Sequence, residues 1–330
     1  MLRSPGEAMR FLHLPLLLGM VGVVPAADSP TVTVTDISQD GKMLSAAAIN
    51  KWGDVAGQGD LGDGLHALLL QDGVLIDLGS VPGRPTSQAF ALNDRGEVAG
   101  AGYVAAPAGS HALLWSKRGV QDLNPVGSFS SAATGINQRG QVVGWHQLAS
   151  SVRYAALWEG ERLTSLGSGQ ADGINRRGTI VGGTLVWDGS SVVNLGTGYE
   201  TAVTSINDRG DVAGYHGWSF AFGEGLLWED GVRRPLPPLY GDTKAFAYGI
   251  NGRGQVVGAS VFCEWECNDP RSHAVLWQDG QAVHLPPLPG DSESVAHGIN
   301  DRGEIVGTSF IRYCVPPCEP RSRAVVWRVE

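Results

Sequence analysis

Two dipeptides place an aromatic residue beside a histidine, and they are the first candidates for a binding site. They are Trp145-His146 and Tyr215-His216, and Trp218 follows the second pair closely. Aromatic faces stack on sugar rings, while histidine nitrogens and nearby carboxylates can hydrogen-bond to hydroxyl groups. The pairs therefore predict a carbohydrate-binding surface, although the same residues could simply pack loops against neighbouring segments.

Carboxylates offer a second kind of chemistry. Asp242 and Asp291 are further candidate binding residues and stand at equivalent places, in Gly241-Asp-Thr243 and Gly290-Asp-Ser292. Glycoside cleavage needs two carboxyl groups about 5–10 Å apart, so a pair of acidic residues could serve a hydrolase or lyase. The other acidic candidates are Asp60, Asp63 and Glu293. Familiar enzyme motifs are missing, and Gly290-Asp-Ser292 belongs to a repeated sequence, so we assign no catalytic residue.

Four cysteines form two pairs of identical spacing. They occur in Cys263-Glu-Trp-Glu-Cys267 and Cys314-Val-Pro-Pro-Cys318. Disulfides within each loop, disulfides between the loops, and one four-thiolate zinc site all fit this count. The duplicated spacing favours a unit that closes within one loop, and an oxidising compartment favours disulfides over zinc. We therefore expect Cys263–Cys267 and Cys314–Cys318 disulfides that stiffen two long loops, and no metal or other cofactor.

Composition narrows the fold classes that could position these residues. The chain of 330 residues contains 47 glycines, about twice ordinary usage, which argues against a helical bundle. Hydrophobic residues make up 42% and charged residues 17%, which excludes a disordered chain. A net charge of −9 would repel a phosphate backbone, so we expect no nucleic-acid partner.

One unit repeats seven times along the chain. Each copy has Ile-Asn or Leu-Asn with Gly three residues after the Asn. The seven asparagines are Asn50, Asn93, Asn137, Asn175, Asn207, Asn251 and Asn300. Four short β-branched segments per unit, bounded by turn residues, predict strands a to d. Strand a ends at the Asn, strand b at a Val-Val-Gly segment, strand c usually at a Trp, and strand d at a Leu-Gly segment.

Four strands per unit of about 42 residues is the spacing of a β-propeller blade. We therefore predict an all-β, seven-bladed propeller with four-stranded blades. The seventh unit stops after Trp327 without a strand d, while Thr33-Val-Thr-Asp36 resembles a strand d that precedes the first unit. Residues 31–38 are expected to pair into the last blade, which leaves no open edge. The predicted domain covers residues 28–330 and is expected to be a monomer.

Most of the repeated residues have structural explanations. Asn-x-x-Gly predicts a tight a–b turn, in which Asn caps the turn and tolerates left-handed geometry and Gly supplies a positive φ. The turn has too few carboxylates for a calcium loop. The six strand-c tryptophans are expected to pack between blades. His66, His111 and His273 share one repeat position, and we interpret them as hydrogen-bonding residues at the start of strand c.

The motifs also resemble those of a known family. His111-Ala-Leu-Leu-Trp, His273-Ala-Val-Leu-Trp, Asp77-Leu-Gly79 and the Ile-Asn-x-x-Gly-x-Val-Val-Gly segments resemble the HAF repeat family of exported bacterial proteins. The resemblance covers nearly all of the chain after the first 27 residues. It implies a repeat fold and export, and it implies no general biochemical activity.

The repeat pattern distinguishes the two faces of the propeller. The a–b and c–d turns are nearly constant and emerge on one face, which is expected to be inert. The b–c and d–a connections vary and emerge on the opposite face, where binding residues are expected around the mouth of the central channel. Blade 4 has almost no b–c loop, while blades 6 and 7 have long ones, which predicts a low side and a high wall. The two aromatic–histidine pairs follow strand b and are expected to flank blade 4 at this mouth.

The N-terminus is typical of an exported protein. Arg3 and Arg10 precede the apolar run 11–24, and small residues follow at Ala26 and Ala27. This order predicts a cleaved signal peptide in residues 1–27, and the run is short for a membrane span. No cysteine lies near the exit, so we expect no lipid anchor. The protein is expected in the periplasm or outside the cell.

Together these features favour a secreted, non-catalytic binding or scaffold protein. Its expected partner is an extracellular carbohydrate or protein, recognised by the face that the b–c and d–a connections form. A secreted polysaccharide hydrolase or lyase that uses carboxylates of the same face is the alternative, because propellers support both kinds of activity.

Overall fold

The computed structural model describes residues 30–104, 109–148, 152–189, 191–196, 201–217, 223–263, 270–312 and 321–330. Within these residues the chain forms 28 β-strands and no helix. The strands belong to one unit, Thr31–Glu330, and form seven antiparallel sheets of four strands each. The first strand of each sheet contacts the first strand of the next around a closed ring. The predicted seven-bladed propeller is therefore confirmed.

The first three blades each consist of four consecutive strands, ordered a to d from the centre outwards. Blade 1 contains β2 (Met43–Ile49), β3 (Val55–Asp60), β4 (Leu65–Gln71) and β5 (Val74–Asp77). Blade 2 contains β6 (Thr86–Leu92), β7 (Val98–Tyr103), β8 (His111–Ser116) and β9 (Gly119–Asp122). Blade 3 contains β10 (Ser130–Ile136), β11 (Val142–Gln147), β12 (Arg153–Glu159) and β13 (Arg162–Ser168).

Blades 4 to 6 follow the same order, and blade 4 has the shortest strands. Blade 4 contains β14 (Gly173–Ile174), β15 (Ile180–Gly182), β16 (Leu185–Asp188) and β17 (Ser191–Asn194). Blade 5 contains β18 (Thr201–Ile206), β19 (Val212–His216), β20 (Glu224–Glu229) and β21 (Val232–Leu236). Blade 6 contains β22 (Lys244–Ile250), β23 (Val256–Phe262), β24 (Arg271–Gln278) and β25 (Gln281–Leu285).

Blade 7 joins the two ends of the unit. It contains β26 (Glu293–Ile299), β27 (Ile305–Ile311), β28 (Arg321–Val329) and, as its strand d, the N-terminal β1 (Val32–Asp36). β1 pairs with β28 along its whole length, and Thr31 and Glu330 exchange two further backbone hydrogen bonds. The N-terminal strand therefore completes the last blade, as the sequence predicts.

The hydrophobic core is divided into seven clusters that hold successive blades together. The six strand-c tryptophans lie in these clusters with at most 6% of their surface exposed. Trp115, for example, packs with Ala56, Ala67 and Leu69 of blade 1, and its Nε1 donates to Gly79 O. The prediction that these side chains pack between blades is confirmed. In blade 1 the smaller Leu70 takes this place, against residues of blade 7.

The seven asparagines form a closed ring of hydrogen bonds. Each Oδ1 caps its own turn; Asn207 Oδ1, for example, accepts from the backbone N–H groups of Arg209 and Asp211. Each Nδ2 also donates to the backbone oxygen of the asparagine in the next blade, and Asn300 closes the ring on Asn50 O at 3.0 Å. The turn glycines have φ between 76° and 103°, and none of the asparagines has a positive φ. The predicted asparagine cap is confirmed. The hydrogen bond from each Nδ2 to the next blade was not predicted, and the asparagines do not adopt the left-handed conformation that they could tolerate.

Strand b differs from its prediction at the carboxyl end. It is expected to stop at its glycine, and it does so in blade 4 at Gly182. In the other six blades it continues, for example through Gln147 in blade 3 and His216 in blade 5. A Cβ at this glycine would lie about 2 Å from a carbonyl oxygen of strand a in six blades, such as Ala132 O for Gly144. In blade 4 the oxygen is that of Gln170, just before strand a. The glycine therefore permits close approach inside the sheet, beside a β-bulge, rather than ending the strand.

The recurring histidines bridge strand c to neighbouring carboxylates. His111 Nδ1 lies 2.7 Å from Asp122 of the same blade, and His66 lies 3.1 Å from Asp77. In blade 7 Arg323 takes this position and pairs with Asp36 of β1 at 3.1 Å. These contacts agree with a structural role for the repeated histidines.

In the part of the chain that is described, no helix is long and apolar enough to cross a membrane. The predicted signal peptide in residues 1–27 lies outside the described residues, so export remains a prediction.

Candidate functional site

One position on strand a differs from blade to blade, and we call its seven residues the inner ring. It lies two residues before the Ile or Leu of each Ile-Asn or Leu-Asn pair. From blade 1 to blade 7 the residues are Ala47, Phe90, Thr134, Asp172, Thr204, Tyr248 and His297. The residue before each of them is a small apolar side chain buried within the blades. In six blades this residue is the extra one of a β-bulge in strand a. It lies beside the neighbouring blade, since the Thr134 and Thr204 hydroxyls donate to Ala171 O and Ala247 O.

The most polar residue of the inner ring is Asp172 in blade 4. Its carboxylate accepts hydrogen bonds from Gln170 Nε2 at 2.7 Å and from the backbone N–H of Gly183 at 3.3 Å. Burial raises the pKa of Asp172 to about 6, although both hydrogen bonds and the charge of Arg153 act in the opposite direction. Arg153 also donates to Gln170 Oε1 at 3.2 Å and lies over the Trp145 ring at 4.0 Å. A chain of contacts thus runs from Trp145 to a carboxyl group that is partly protonated near neutral pH.

Aromatic side chains continue from Asp172 toward blade 7. The Tyr215 ring lies edge-on to Phe246 at 5.3 Å and to Tyr248 at 6.4 Å, and Tyr248 stacks on His297 at 6.2 Å. Burial and the charge of Asp172 raise the pKa of Tyr215. Burial likewise raises the pKa of Tyr248 to about 12 and lowers that of His297 to about 4. At neutral pH these rings are therefore uncharged. We call Asp172, Tyr215, Phe246, Tyr248 and His297 the channel cluster.

A cleft opens where blade 4 lacks a b–c loop. β15 and β16 are joined by Gly183-Thr184 alone, and beside this turn lies a cavity of about 610 Å³. Its border includes the polar Gln170, Asn194 and Thr201 and the apolar Leu185 and Trp187. Gln170 and Gly183 also hold Asp172, so this blade-4 cleft adjoins the channel cluster. The low side that the sequence predicts at blade 4 is present.

The pair Trp145-His146 is divided by its strand. Both residues lie in β11, where successive side chains point to opposite faces. Trp145 carries Arg153 on its ring. His146 is only 8% exposed, its ring centre is 5.7 Å from that of Tyr154, and burial lowers its pKa. Trp145 is therefore connected to the blade-4 cleft through Arg153, whereas the surroundings of His146 are those of a packed residue.

The second pair reaches the cleft from blade 5. Tyr215 and His216 both lie in β19. Tyr215 belongs to the channel cluster, and His216 Nδ1 lies 3.0 Å from Thr201 Oγ1 on the cleft border. Trp218 lies outside the described residues. The structure thus brings Trp145, Tyr215 and His216 to two sides of blade 4, as expected, but within strands rather than loops.

Asp242 and Asp291 lie in the d–a connections, and both are engaged by basic side chains. Asp242 is 2.9 Å from His273 Nδ1. Asp291 pairs with Arg321 and Arg323, each at 2.8 Å, and its side chain has no exposed surface. Burial alone would raise the pKa of Asp291, but hydrogen bonds from Ser309 and both arginines lower it below its usual value. These contacts stabilise the loops and leave little capacity for a ligand.

The three other acidic candidates are also held by neighbours. Glu293 is buried and lies 3.3 Å from Arg312, Asp63 lies 3.0 Å from His66, and Asp60 accepts from the backbone of its own loop. Among the described residues no group of three or more His, Cys, Asp or Glu side chains could hold a metal ion.

The cysteine loops fall mostly outside the described residues. Cys263, at the end of β23, is described and is not a free thiol. Cys267, Cys314 and Cys318 lie outside, as do most of the long b–c loops of blades 6 and 7. The predicted pairing and the predicted high wall therefore remain predictions.

The inner ring was not among the residues singled out from the sequence. Its signal is nevertheless visible there, because this one position changes its chemistry from blade to blade between neighbours that stay small. Positions that break an otherwise regular repeat are those that the scaffold leaves free for function.

Comparisons with known proteins identify the fold and no more. No protein-family model matches the sequence, and no curated protein is similar to it. The structure is similar to virginiamycin B lyase from Staphylococcus aureus, with a TM-score of 0.54 and 10% identity over 91% of this chain and 99% of that one. It is also similar to a protein of unknown function from Dyadobacter fermentans, with a TM-score of 0.48 and 10% identity over 91% and 99% of the two chains. At such identities the likeness concerns the propeller alone.

Proposed function

We propose that the protein is a non-catalytic binding propeller and that its ligand is a carbohydrate held in the blade-4 cleft. The observation that carries the proposal is the cleft itself. A two-residue turn leaves open a cavity of about 610 Å³, which is within the range of small-ligand sites. Gln170, Asn194 and Thr201 offer amide and hydroxyl groups on its border, and Leu185 offers an apolar wall.

The surroundings of the cleft suit a sugar better than a flat protein surface. Amide and hydroxyl groups both donate and accept hydrogen bonds, as sugar hydroxyls require. Trp187 adds an aromatic ring to the border, and such rings stack on the apolar faces of sugars. The cleft is also concave, whereas protein partners usually bury about 800 Å² on each side of a much flatter interface.

A glycan array tests this proposal, followed by calorimetry with the glycan that binds best. We expect Gln170→Ala and Asn194→Ala to weaken binding about tenfold each, because each removes a hydrogen-bonding group from the border. Gln121→Ala is the matched control, since Gln121 is exposed on the outer strand of blade 2. No glycan binding, or binding that both cleft variants leave unchanged, would contradict the proposal and favour a protein partner.

A polysaccharide hydrolase or lyase is the second candidate, and Asp172 is the observation that favours it. Because burial raises the pKa of Asp172 to about 6, this carboxyl could donate or accept a proton near neutrality. The other acidic candidates are already engaged, which is why binding is the main proposal. Release of reducing sugar from mixed polysaccharides that stops in Asp172→Asn would establish the enzyme instead.

We further propose that the chain is exported, in keeping with its resemblance to the HAF repeat family. Cleavage after residue 26 or 27 is expected, and N-terminal sequencing of the protein recovered outside the cytoplasm would show it. Non-reducing peptide mapping of the same material tests the Cys263–Cys267 and Cys314–Cys318 disulfides. A peptide that joins the two loops would contradict that pairing.

A further inference from the structure

The face with the constant a–b and c–d turns carries a cavity that the sequence pattern does not assign. This cavity of about 670 Å³ lies between blades 1 and 2, and we call it the blade 1–2 groove. Trp52 stands on its border with 64% of its surface exposed. Much of the indole surface is therefore accessible to a ligand.

Trp52 interrupts a repeated feature of the scaffold. The second residue after the turn asparagine is arginine in the six other blades. These residues are Arg95, Arg139, Arg177, Arg209, Arg253 and Arg302. In five of the six, the guanidinium lies against the turn glycine of a neighbouring blade, as Arg209 does at Gly254. Blade 1 therefore lacks one guanidinium that the rest of the ring possesses.

The missing guanidinium has a defined carboxylate partner. Arg209 pairs with Asp211 at 2.7 Å, and Arg302 pairs with Glu304 in the same way. The residue at this place in blade 1 is Asp54, which has no such arginine. Its carboxylate accepts from Asn50 at 2.8 Å and from Gln71 at 3.1 Å, and both bonds reach Oδ2. Asp54 borders the same groove as Trp52.

The indole of Trp52 is held in place and already attracts a cation. Its Nε1 donates to Asp94 O of blade 2 at 3.0 Å, and Lys51 Nζ lies 4.7 Å from the ring centre. Elsewhere in the molecule Arg153 lies over the Trp145 ring at 4.0 Å, so this chain uses guanidinium–indole contacts internally. A second cation placed between the indole and Asp54 would gain both a ring contact and a charge partner.

An equivalent groove between blades 5 and 6 serves as an internal comparison. Its cavity is about 420 Å³, and Trp277 and Arg253 lie where Trp115 and Arg95 lie in the blade 1–2 groove. Arg209, which corresponds to Trp52, does not border it, although its guanidinium lies against Gly254, which does. The larger cavity thus coincides with the blade whose arginine is replaced.

We propose that the blade 1–2 groove binds an arginine side chain from an extended segment of a protein or peptide partner. The ligand's guanidinium takes the place of the missing repeat arginine, beside the Trp52 ring and the Asp54 carboxylate. Four carboxylates border the groove, those of Asp54, Asp72, Asp77 and Asp94, against two cations, Arg95 and Lys117, and this excess favours a positively charged ligand. This site is independent of the blade-4 cleft and faces the opposite side of the propeller.

Calorimetry with the peptide acetyl-Gly-Arg-Gly-amide at low salt tests the proposal. The same peptide with citrulline in place of arginine is the matched ligand control, because citrulline has nearly the same shape and no charge. We expect saturable binding of the arginine peptide, weakened about tenfold or more by Trp52→Ala and by Asp54→Asn. Added salt should weaken it further.

The decisive variant is Trp52→Arg, which restores the sequence of the other blades. The new side chain supplies the guanidinium from within, so the protein should fold normally by circular dichroism and lose binding of the peptide. Arg209→Ala in blade 5 should bind like the unmodified protein. Equal affinity for the citrulline peptide, undiminished binding by Trp52→Arg, or no saturable binding would overturn the proposal. None of these outcomes depends on glycan binding at blade 4.

Discussion

Two positions on the same inner strand, three residues apart, behave in opposite ways around the ring. The turn asparagine is the same in all seven blades and is always buried. The inner-ring residue runs from alanine to aspartate, tyrosine and histidine. Each asparagine bonds to the next copy of itself, so a change in any one leaves a neighbour without its partner. The inner-ring residues share no partner all round the ring: Thr134 and Thr204 donate to the backbone of the next blade, whereas Asp172 accepts from Gln170 and Tyr248 stacks on His297.

This contrast separates scaffold from site without reference to any relative. Repetition around a closed ring indicates residues that serve the ring, because a single ligand cannot use seven equivalent positions at once. Departures from the repeat indicate residues that serve something else. Two such departures from the repeat are the inner-ring residues near blade 4 and Trp52 on the face with the a–b and c–d turns.

Opening the ring of blades should destabilise the protein more than any single substitution, because both the asparagines and the inner-ring residues depend on the closed ring. Deletion of residues 31–38 takes away β1, exposes the edge of β28 and uncovers the core that Val32 and Val34 help to close. We expect aggregation or loss of a cooperative melting transition by circular dichroism. Removal of residues 1–27 alone should leave melting unchanged. A cooperative transition at the original temperature in the 31–38 deletion would contradict the role of β1 as the closing strand.

Loss of one turn asparagine should be the next largest effect. Asn207 is 4% exposed, donates to Asp211 and Asn251 O, and caps the backbone of its own turn. Asn207→Ala leaves several buried groups unpaired, and we expect about 2–4 kcal/mol of destabilisation in urea unfolding. The neighbouring Asp208→Ala removes a solvent-screened ion pair with Arg176 and should cost less than about 1 kcal/mol. Similar costs for the two variants would remove the distinction between scaffold and surface.

The sequence predicts the fold well because the signal is repeated seven times. A single Val- or Ile-rich segment that ends in Gly is ambiguous, but seven of them at the same place in a repeat with Asn turns and tryptophans specify four strands per blade. Closure by residues 31–38 follows from a strand count, and it is confirmed. The continuation of strand b past Gly144 was missed, because a glycine usually ends a strand and only the sheet shows what its missing Cβ accommodates.

The site was predicted only in part, for reasons of geometry. Loop lengths located the low side at blade 4, since length is visible in the sequence. Trp145 and His146 do not form one surface, because consecutive residues of a strand point to opposite faces of the sheet. The contacts between blades cannot be read from the sequence. The charge of Asp172 acts on Tyr215, and the Tyr248 ring stacks on His297, only after the ring of blades closes.

His297 of the inner ring should make the protein less stable in acid. Burial lowers its pKa to about 4 from 6.5, so the folded state favours the neutral ring. Its contribution to stability is present above pH 6.5 and is lost as the pH falls toward 4, by up to about 3 kcal/mol. We expect His297→Gln to lose less stability than the unmodified protein between pH 7 and pH 4 in urea titrations. Parallel pH profiles would show that His297 is not buried in its neutral form.

Asp172 should also make the stability depend on pH, but more weakly than His297 and in the opposite direction. Burial raises its pKa to about 6 from 3.8, so the folded state binds a proton more tightly than the unfolded state does. Ionisation therefore costs stability as the pH rises through this range, and the cost is fully present above pH 6. Asp172→Asn keeps the shape and removes the charge, so it should stabilise the protein by about 1–2 kcal/mol at pH 7.5.

The same variant should show no gain at pH 3.5, where the carboxyl is protonated in both states. Thermal melting at the two pH values measures the difference, and Asp188→Asn, on an exposed residue at the end of β16, is the control. If Asp172→Asn instead destabilises the protein at pH 7.5, the ionised carboxylate is a structural acceptor for Gln170 and Gly183. In that case blade 4 follows the same rule as the asparagine ring, and the contrast between the two positions fails where it is predicted to be strongest.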